Sequence, residues 1–284
     1  MNLSENPADL RALEQAVALL ETPSLTIRIA NMVGTPVEWA LDRLPATSAE
    51  KIHKGIHAAL KKAVSGALLT MNDKAVVAAR PRTHTAMAAA SGAMGGFFGL
   101  AGTLVELPVT TTLIMRSVAD IARAEGFTLS DPMVQADCVQ VFALGGRSAE
   151  DDAADSAYYA TRVGLTELAK ETGKALVEAA AGHATREAAR ATFQGMQLTP
   201  AQAASWLAQI IETVAQRFGV KVTEKFALQA APVMGAVSGA AINAMFISHY
   251  QNMARGHFTV KRLERKYGEA AVREAYSRVQ ARLG

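Results

Sequence analysis

The stretch "GGFFGLAGTLVELPVTTTLIMRSVADIA", Gly95 to Ala122, limits what this chain can fold into more than any other. It closes a run from Thr85 to Val105 with no charged residue, long enough to cross a bilayer, and then places Glu106 where a span should stay apolar. A second such run extends from Phe226 to Ala254 if His249 is neutral. Length alone does not make a span. The strongly apolar residues of the first run are Phe97, Phe98, Leu100, Leu104 and Val105. They supply about 2 to 3 kcal/mol of insertion free energy, which one central carboxylate would cancel.

The glycines argue for packing instead. Gly92, Gly95, Gly96, Gly99 and Gly102 recur three or four apart, and Gly235 and Gly239 repeat the spacing, so each run offers a groove for another backbone. The expected arrangement is two central Gly-rich helices facing each other, with Gly95, Gly99, Gly102, Gly235 and Gly239 as packing positions. Reversible membrane insertion is the sharper alternative. With 50% apolar, 6% aromatic and 19% charged residues, the chain must fill its interior with small side chains at close approach. No β-alternation of useful length is present, so the fold class expected is all-α, a single helical bundle with basic amphipathic helices outside.

Amphipathic periodicity fills in the rest. Val37, Ala40, Leu41 and Leu44 share a face, with Pro36 at the helix start and Pro45 at its end; Trp39 near the start suits either a membrane interface or packing onto the core. From Ser48 to Val77, Ile52, Ile56, Leu60, Val64 and Leu68 recur every four residues beside lysines. His53 and His57 stand four apart there, a metal-ligand spacing without a third ligand in view. Trp206, Leu207, Ile210, Ile211, Val214 and Phe218 mark a further helix. Val260, Leu263 and Tyr267, then Val272, Tyr276, Val279 and Leu283 beyond Gly268, mark two basic C-terminal ones. One domain over residues 1–284 is expected: amphipathic helices in 1–84, a Gly-rich hairpin and acidic segment in 85–160, amphipathic helices in 161–225, and a Gly-rich helix with basic helices in 226–284.

Charge is unevenly placed although the net value is only +3. Lys51, Lys54, Lys61, Lys62, Lys74, Arg80 and Arg82 face Asp73 alone, whereas Ala101 to Ala160 is acidic. Basic flanks beside apolar segments suit an anionic membrane surface, although a solvated helix face is the more common explanation. Cys138, the single cysteine, lies in an apolar helical context and reads as a small buried hydrophobe. No secretory signal is visible at the N-terminus, which predicts a cytoplasmic protein, peripheral to the inner face of the membrane if associated with it.

Polar residues within the apolar runs are the candidate site. Pro108 fits the first turn of a helix, so the opening stretch reads as two helices meeting at "ELP", with Glu106 near an N-terminus. Thr112, Arg116 and Asp120 follow four apart on one face. The double glycine Gly145–Gly146 stops a helix, and Ser148 with Asp151 forms a capping box. Glu106, Thr112, Arg116, Asp120, Arg147, Ser148, Asp151, Asp152, Asp155, Asn243 and His249 either fix helix register or line a polar cavity. Catalytic templates fail: no Gly-x-Ser-x-Gly elbow, His-Glu-x-x-His, phosphate-binding loop or dinucleotide fingerprint occurs. No metal and no cofactor is expected, and no catalytic residue is identified.

The chain resembles the EcsC family. The resemblance is carried by "ANMVGTPVEWALDRLP" from Ala30, the Gly95 stretch continued to "ARAEG", "DPMVQADCVQVFALGGRS" from Asp131, "DDAADSAYYATR" from Asp151, and "APVMGAVSGAAINAMFISHYQNMARGHFTVKRLERKYG" from Ala231. It implies a bacterial intracellular or membrane-associated helical protein, linked by name with membrane transport, and implies no catalytic set. Two functions follow as expectations. One is a non-enzymatic, membrane-proximal protein that binds lipid, an anionic membrane surface or a membrane-transport partner. The other is a hydrolase or metal-dependent enzyme using Glu106, Asp120, Asp151 and Asp152 with Arg147 and His249. Nucleic acid is not expected as a partner, since the basic residues lack aromatic interleaving.

Overall fold

The computed structural model describes residues 3–44, 46–67, 71, 99–145, 158–165, 171, 200–229 and 236–283. Every extended element in them is helical, no strand occurs among them, and the helices pack as an all-α bundle. The helices are α1 (Pro7–Leu20), α2 (Leu25–Val33), α3 (Val37–Asp42), α4 (Ala46–Ala67), α5 (Gly99–Ala124), α6 (Pro132–Gln140), α7 (Pro200–Gln229), α8 (Ala236–Tyr267) and α9 (Glu269–Leu283). A helical piece over 158–165 lies between α6 and α7 in sequence.

Local chemistry sets several boundaries. Asn6 caps α1 by accepting from the backbone amides of Ala8 and Asp9, with Pro7 in the first turn. Asp131 caps α6 the same way, accepting from Met133 ahead of Pro132. Gly268, at φ +86°, turns the chain between α8 and α9, and the stripes on either side of it are buried through Val260, Leu263, Val272, Tyr276 and Val279. Leu283, expected in that second stripe, is instead 59% exposed at the chain's last turn.

Two long helices organise the bundle. α7, 30 residues, collects α2, α3, α4 and α6, while α8, 32 residues, collects α1, α5 and α9. No residue of α8 between 240 and 264 is exposed, which makes it the central helix. Gly256 permits the closest approach on it: a Cβ there would stand 2.5 Å from Leu20 Cγ and 3.1 Å from the Ala16 carbonyl of α1. No helix among the described residues is long and apolar enough to cross a membrane.

Two expectations are corrected. α5 does not break at "ELP"; it runs from Gly99 to Ala124 with Pro108 inside it. Proline removes one backbone bond, yet α4 lies along both sides of that point, with Gly55 against Leu107 and Gly66 against Thr112, and this packing holds the two halves in line. Glu106 is therefore internal to a helix, not at an N-terminus. The run from Phe226 to Ala254 is shared between two elements, α7 described to Gln229 and α8 described from Ala236. Of the packing glycines, Gly99, Gly102 and Gly239 lie within α5 and α8, whereas Gly95 and Gly235 lie outside the described residues. The helix expected to Val77 is described as far as Ala67.

Candidate functional site

The outer face of α4 is built from its buried one. Ile52, Ile56, Ala59, Leu60, Ala63 and Val64 pack inward, and on a helix of 3.6 residues per turn this leaves Lys51, Lys54, Lys61 and Lys62 on the opposite arc, all exposed. Lys54 pairs with Glu50 at 2.7 Å in full solvent; among the described residues Lys51, Lys61 and Lys62 meet no carboxylate. His57, on the flank toward α7, contacts Glu212 at 2.9 Å. The preceding helices, which like α4 rest on α7, expose large apolar side chains: Ile27 at 54%, Met32 at 45% and Trp39 at 37%. The Arg43 guanidinium lies 3.7 Å above the Trp39 ring. Exposed lysines on α4 and exposed apolar side chains on α2 and α3 together have the composition of an interfacial surface.

The interior holds a different kind of polar group. Asp137 of α6 forms an ion pair with Lys261 of α8, and its other oxygen lies 3.8 Å from His257 Nε2, a Coulombic contact beyond hydrogen-bond reach. Tyr158 closes the group, its hydroxyl 3.1 Å from His257 Nδ1. Burial alone would raise Asp137, but Lys261 and His257 hold it below the usual carboxylate range. One turn along α8, Arg162 grips Glu264 with two bonds of 2.6 Å each. At the far end of α8, Asp9 of α1 accepts from Lys266 and the Tyr267 hydroxyl at 2.7 Å. These pairs fasten α1, α6 and the 158–165 piece to the central helix.

The sequence-derived candidates fall into three groups. Thr112 donates back to the Pro108 carbonyl at 2.7 Å, Arg116 donates to the Gly66 carbonyl at 3.1 Å, and Asp120 pairs with Arg123 three residues on. All three thus serve helix α5 and its seam with α4. Asn243, fully buried, accepts from Lys225 of α7. His249, 1% exposed, sits beneath the Leu144–Gly145 turn. Arg147, Ser148, Asp151, Asp152, Asp155 and the side chain of Glu106 lie outside the described residues. No three His, Cys, Asp or Glu side chains among the described residues are placed to hold a metal. Cys138 is buried, and burial pushes its thiol well up, in keeping with a small hydrophobe.

Sequence reasoning missed Asp137, Tyr158, Arg162, Lys221, Lys261 and Glu264. A signal existed for some: Lys261 and Glu264 fall three apart on one face of their helix, and Asp137 interrupts the apolar segment around Cys138.

Fold and sites together define an all-helical bundle tied by buried ion pairs to a central helix, with a basic face outside. The chain belongs to the EcsC protein family, whose model matches residues 9–263. No curated protein and no solved structure matches it.

Proposed function

We propose that this EcsC-family chain is a non-enzymatic, membrane-proximal protein that binds an anionic membrane surface through the lysine arc of α4 and the apolar edge of α2 and α3. The observation that carries the reading is that Lys51, Lys61 and Lys62 stand exposed on one arc with no carboxylate partner among the described residues, while α2 and α3, which like α4 pack on α7, expose Ile27, Met32 and Trp39. Each lysine near an anionic leaflet contributes about 1 kcal/mol of attraction, and an indole at headgroup depth fixes the face that docks. Because no described helix is fit to span a bilayer, attachment by these residues is peripheral and governed by salt. The same face also suits an acidic cytoplasmic loop of a membrane-transport protein.

Flotation with liposomes tests the reading. The protein should float with vesicles containing anionic phospholipid at low salt, stay behind with neutral phosphatidylcholine vesicles, and be released from the anionic ones by high salt. Failure to float with anionic vesicles at low salt would overturn the membrane reading.

A further inference from the structure

Beyond α6 the chain makes a 3-10 turn over Val141–Ala143, and Leu144 leaves it extended at φ −76°, ψ 161°. Gly145 then adopts φ +81°, a conformation that favours glycine. A second constraint falls on the same residue. A Cβ on Gly145 would stand 2.5 Å from Cε1 and Nε2 of His249 and 2.9 Å from Met253 Sδ, so the backbone presses directly onto the imidazole. From α7, the Lys221 ammonium donates to the Leu144 carbonyl at 2.6 Å and also to the Gly145 carbonyl. His249 Nε2 is buried with no hydrogen-bond partner among the described residues, and the underside of Gly145 covers it.

We propose that the Leu144–Gly145 turn is a latch, pinned by the Lys221 ammonium, whose opening uncovers the His249 imidazole. A buried ring nitrogen with no partner costs stability that an apolar side chain of similar size would avoid, so a permanently closed interior has no use for it. The groups around the pin are Arg217 and Glu224 of α7, Arg28 and Thr26 of α2, and His249 and Tyr250 of α8. Glu224 is held by the Thr26 hydroxyl at 2.5 Å. Burial lowers Lys221 to about 8, with Glu224 opposing and Arg217 assisting the shift. Burial, then Lys221 and Arg28, take His249 down to about 3, so the imidazole stays neutral while the pin loses its charge. Raising pH through about 8 therefore loosens the latch and leaves the base beneath it unprotonated.

Diethyl pyrocarbonate labelling, read histidine by histidine by mass spectrometry on the full chain, tests this. His53 is exposed, while His249 and His257 are both buried, so His257 serves as the control for general loosening. In Lys221→Met at pH 7, loss of two charge-assisted bonds should speed labelling of His249 relative to His53 by at least about tenfold, with His257 unchanged. Gly145→Ala, which wedges the turn away from the ring with Lys221 intact, should give the same pattern. The unmutated protein should give it when moved from pH 7 to pH 9. Continued protection of His249 in either folded variant would overturn the latch, and so would His257 becoming labelled in step with His249.

Discussion

The middle of α8 and the outer arc of α4 are both helical surfaces rich in ionisable groups, and they use them in opposite ways. Along the middle of α8 the charges are largely buried, and each pairing ties another segment to the centre: Lys261 to Asp137 of α6, and Glu264 to Arg162. Along α4, Lys51, Lys61 and Lys62 reach solvent and meet no carboxylate among the described residues. Burying an ion pair is expensive unless its geometry is satisfied, so the α8 pairs account for architecture. Exposed charges contribute little to stability, so the α4 arc is left for interaction. The difference is why the proposed docking surface is placed on α4.

The largest effect should come from breaking the core side. Asp137→Asn keeps the volume but leaves Lys261 without its counter-charge. It should lower the unfolding free energy by about 3 kcal/mol, measured in urea, with no change in vesicle binding. Its pH dependence sharpens the point. Asp137 is held below its ordinary value, so its contribution is complete above the unfolded carboxyl range and is lost as pH falls through the folded value. Thermal melts of the unmutated protein should therefore show an acid loss, below about pH 4, that Asp137→Asn lacks in part.

A smaller cost is expected where two backbones meet. Gly256→Ala places a methyl 2.5 Å from Leu20 Cγ and 3.1 Å from the Ala16 carbonyl; the leucine can shift but the carbonyl cannot. About 1 to 3 kcal/mol of stability should be lost, again without effect on binding. The smallest stability change belongs to the outer arc. Lys54→Ala removes a pair that is 77% and 69% exposed, and the chemical melt should move by less than about 0.5 kcal/mol. Vesicle affinity should nonetheless fall by about 1 kcal/mol. A Lys54→Ala protein that melts early but binds normally would reverse the assignment of the two regions.

Much of the fold could be read from the sequence because helical period fixes which residues share a face. Trp206, Ile210, Val214 and Phe218, and Ile52, Ile56 and Leu60, are buried as their spacing demands. Pro108 could not be read, since whether a proline ends a helix depends on what splints it, and α4 comes from elsewhere in the chain. The polar core was hidden for the same reason. Asp137 and Lys261 are 124 residues apart and Tyr158 and His257 are 99 apart, and period carries no information about such partners. His249 was legible as a polar residue in an apolar run, whereas the Lys221 pin over its covering turn was not. The lysine arc was legible, because exposure of a charged face follows from burial of the face behind it.

The measurement that bears most directly on the account is flotation of a Lys51→Ser, Lys54→Ser, Lys61→Ser, Lys62→Ser variant with anionic vesicles at low salt, alongside its thermal melt. The account predicts an unchanged melting temperature and loss of flotation, since roughly 1 kcal/mol per lysine is removed from binding and almost none from folding. Undiminished flotation of a normally folded variant would contradict it and move the interface off α4.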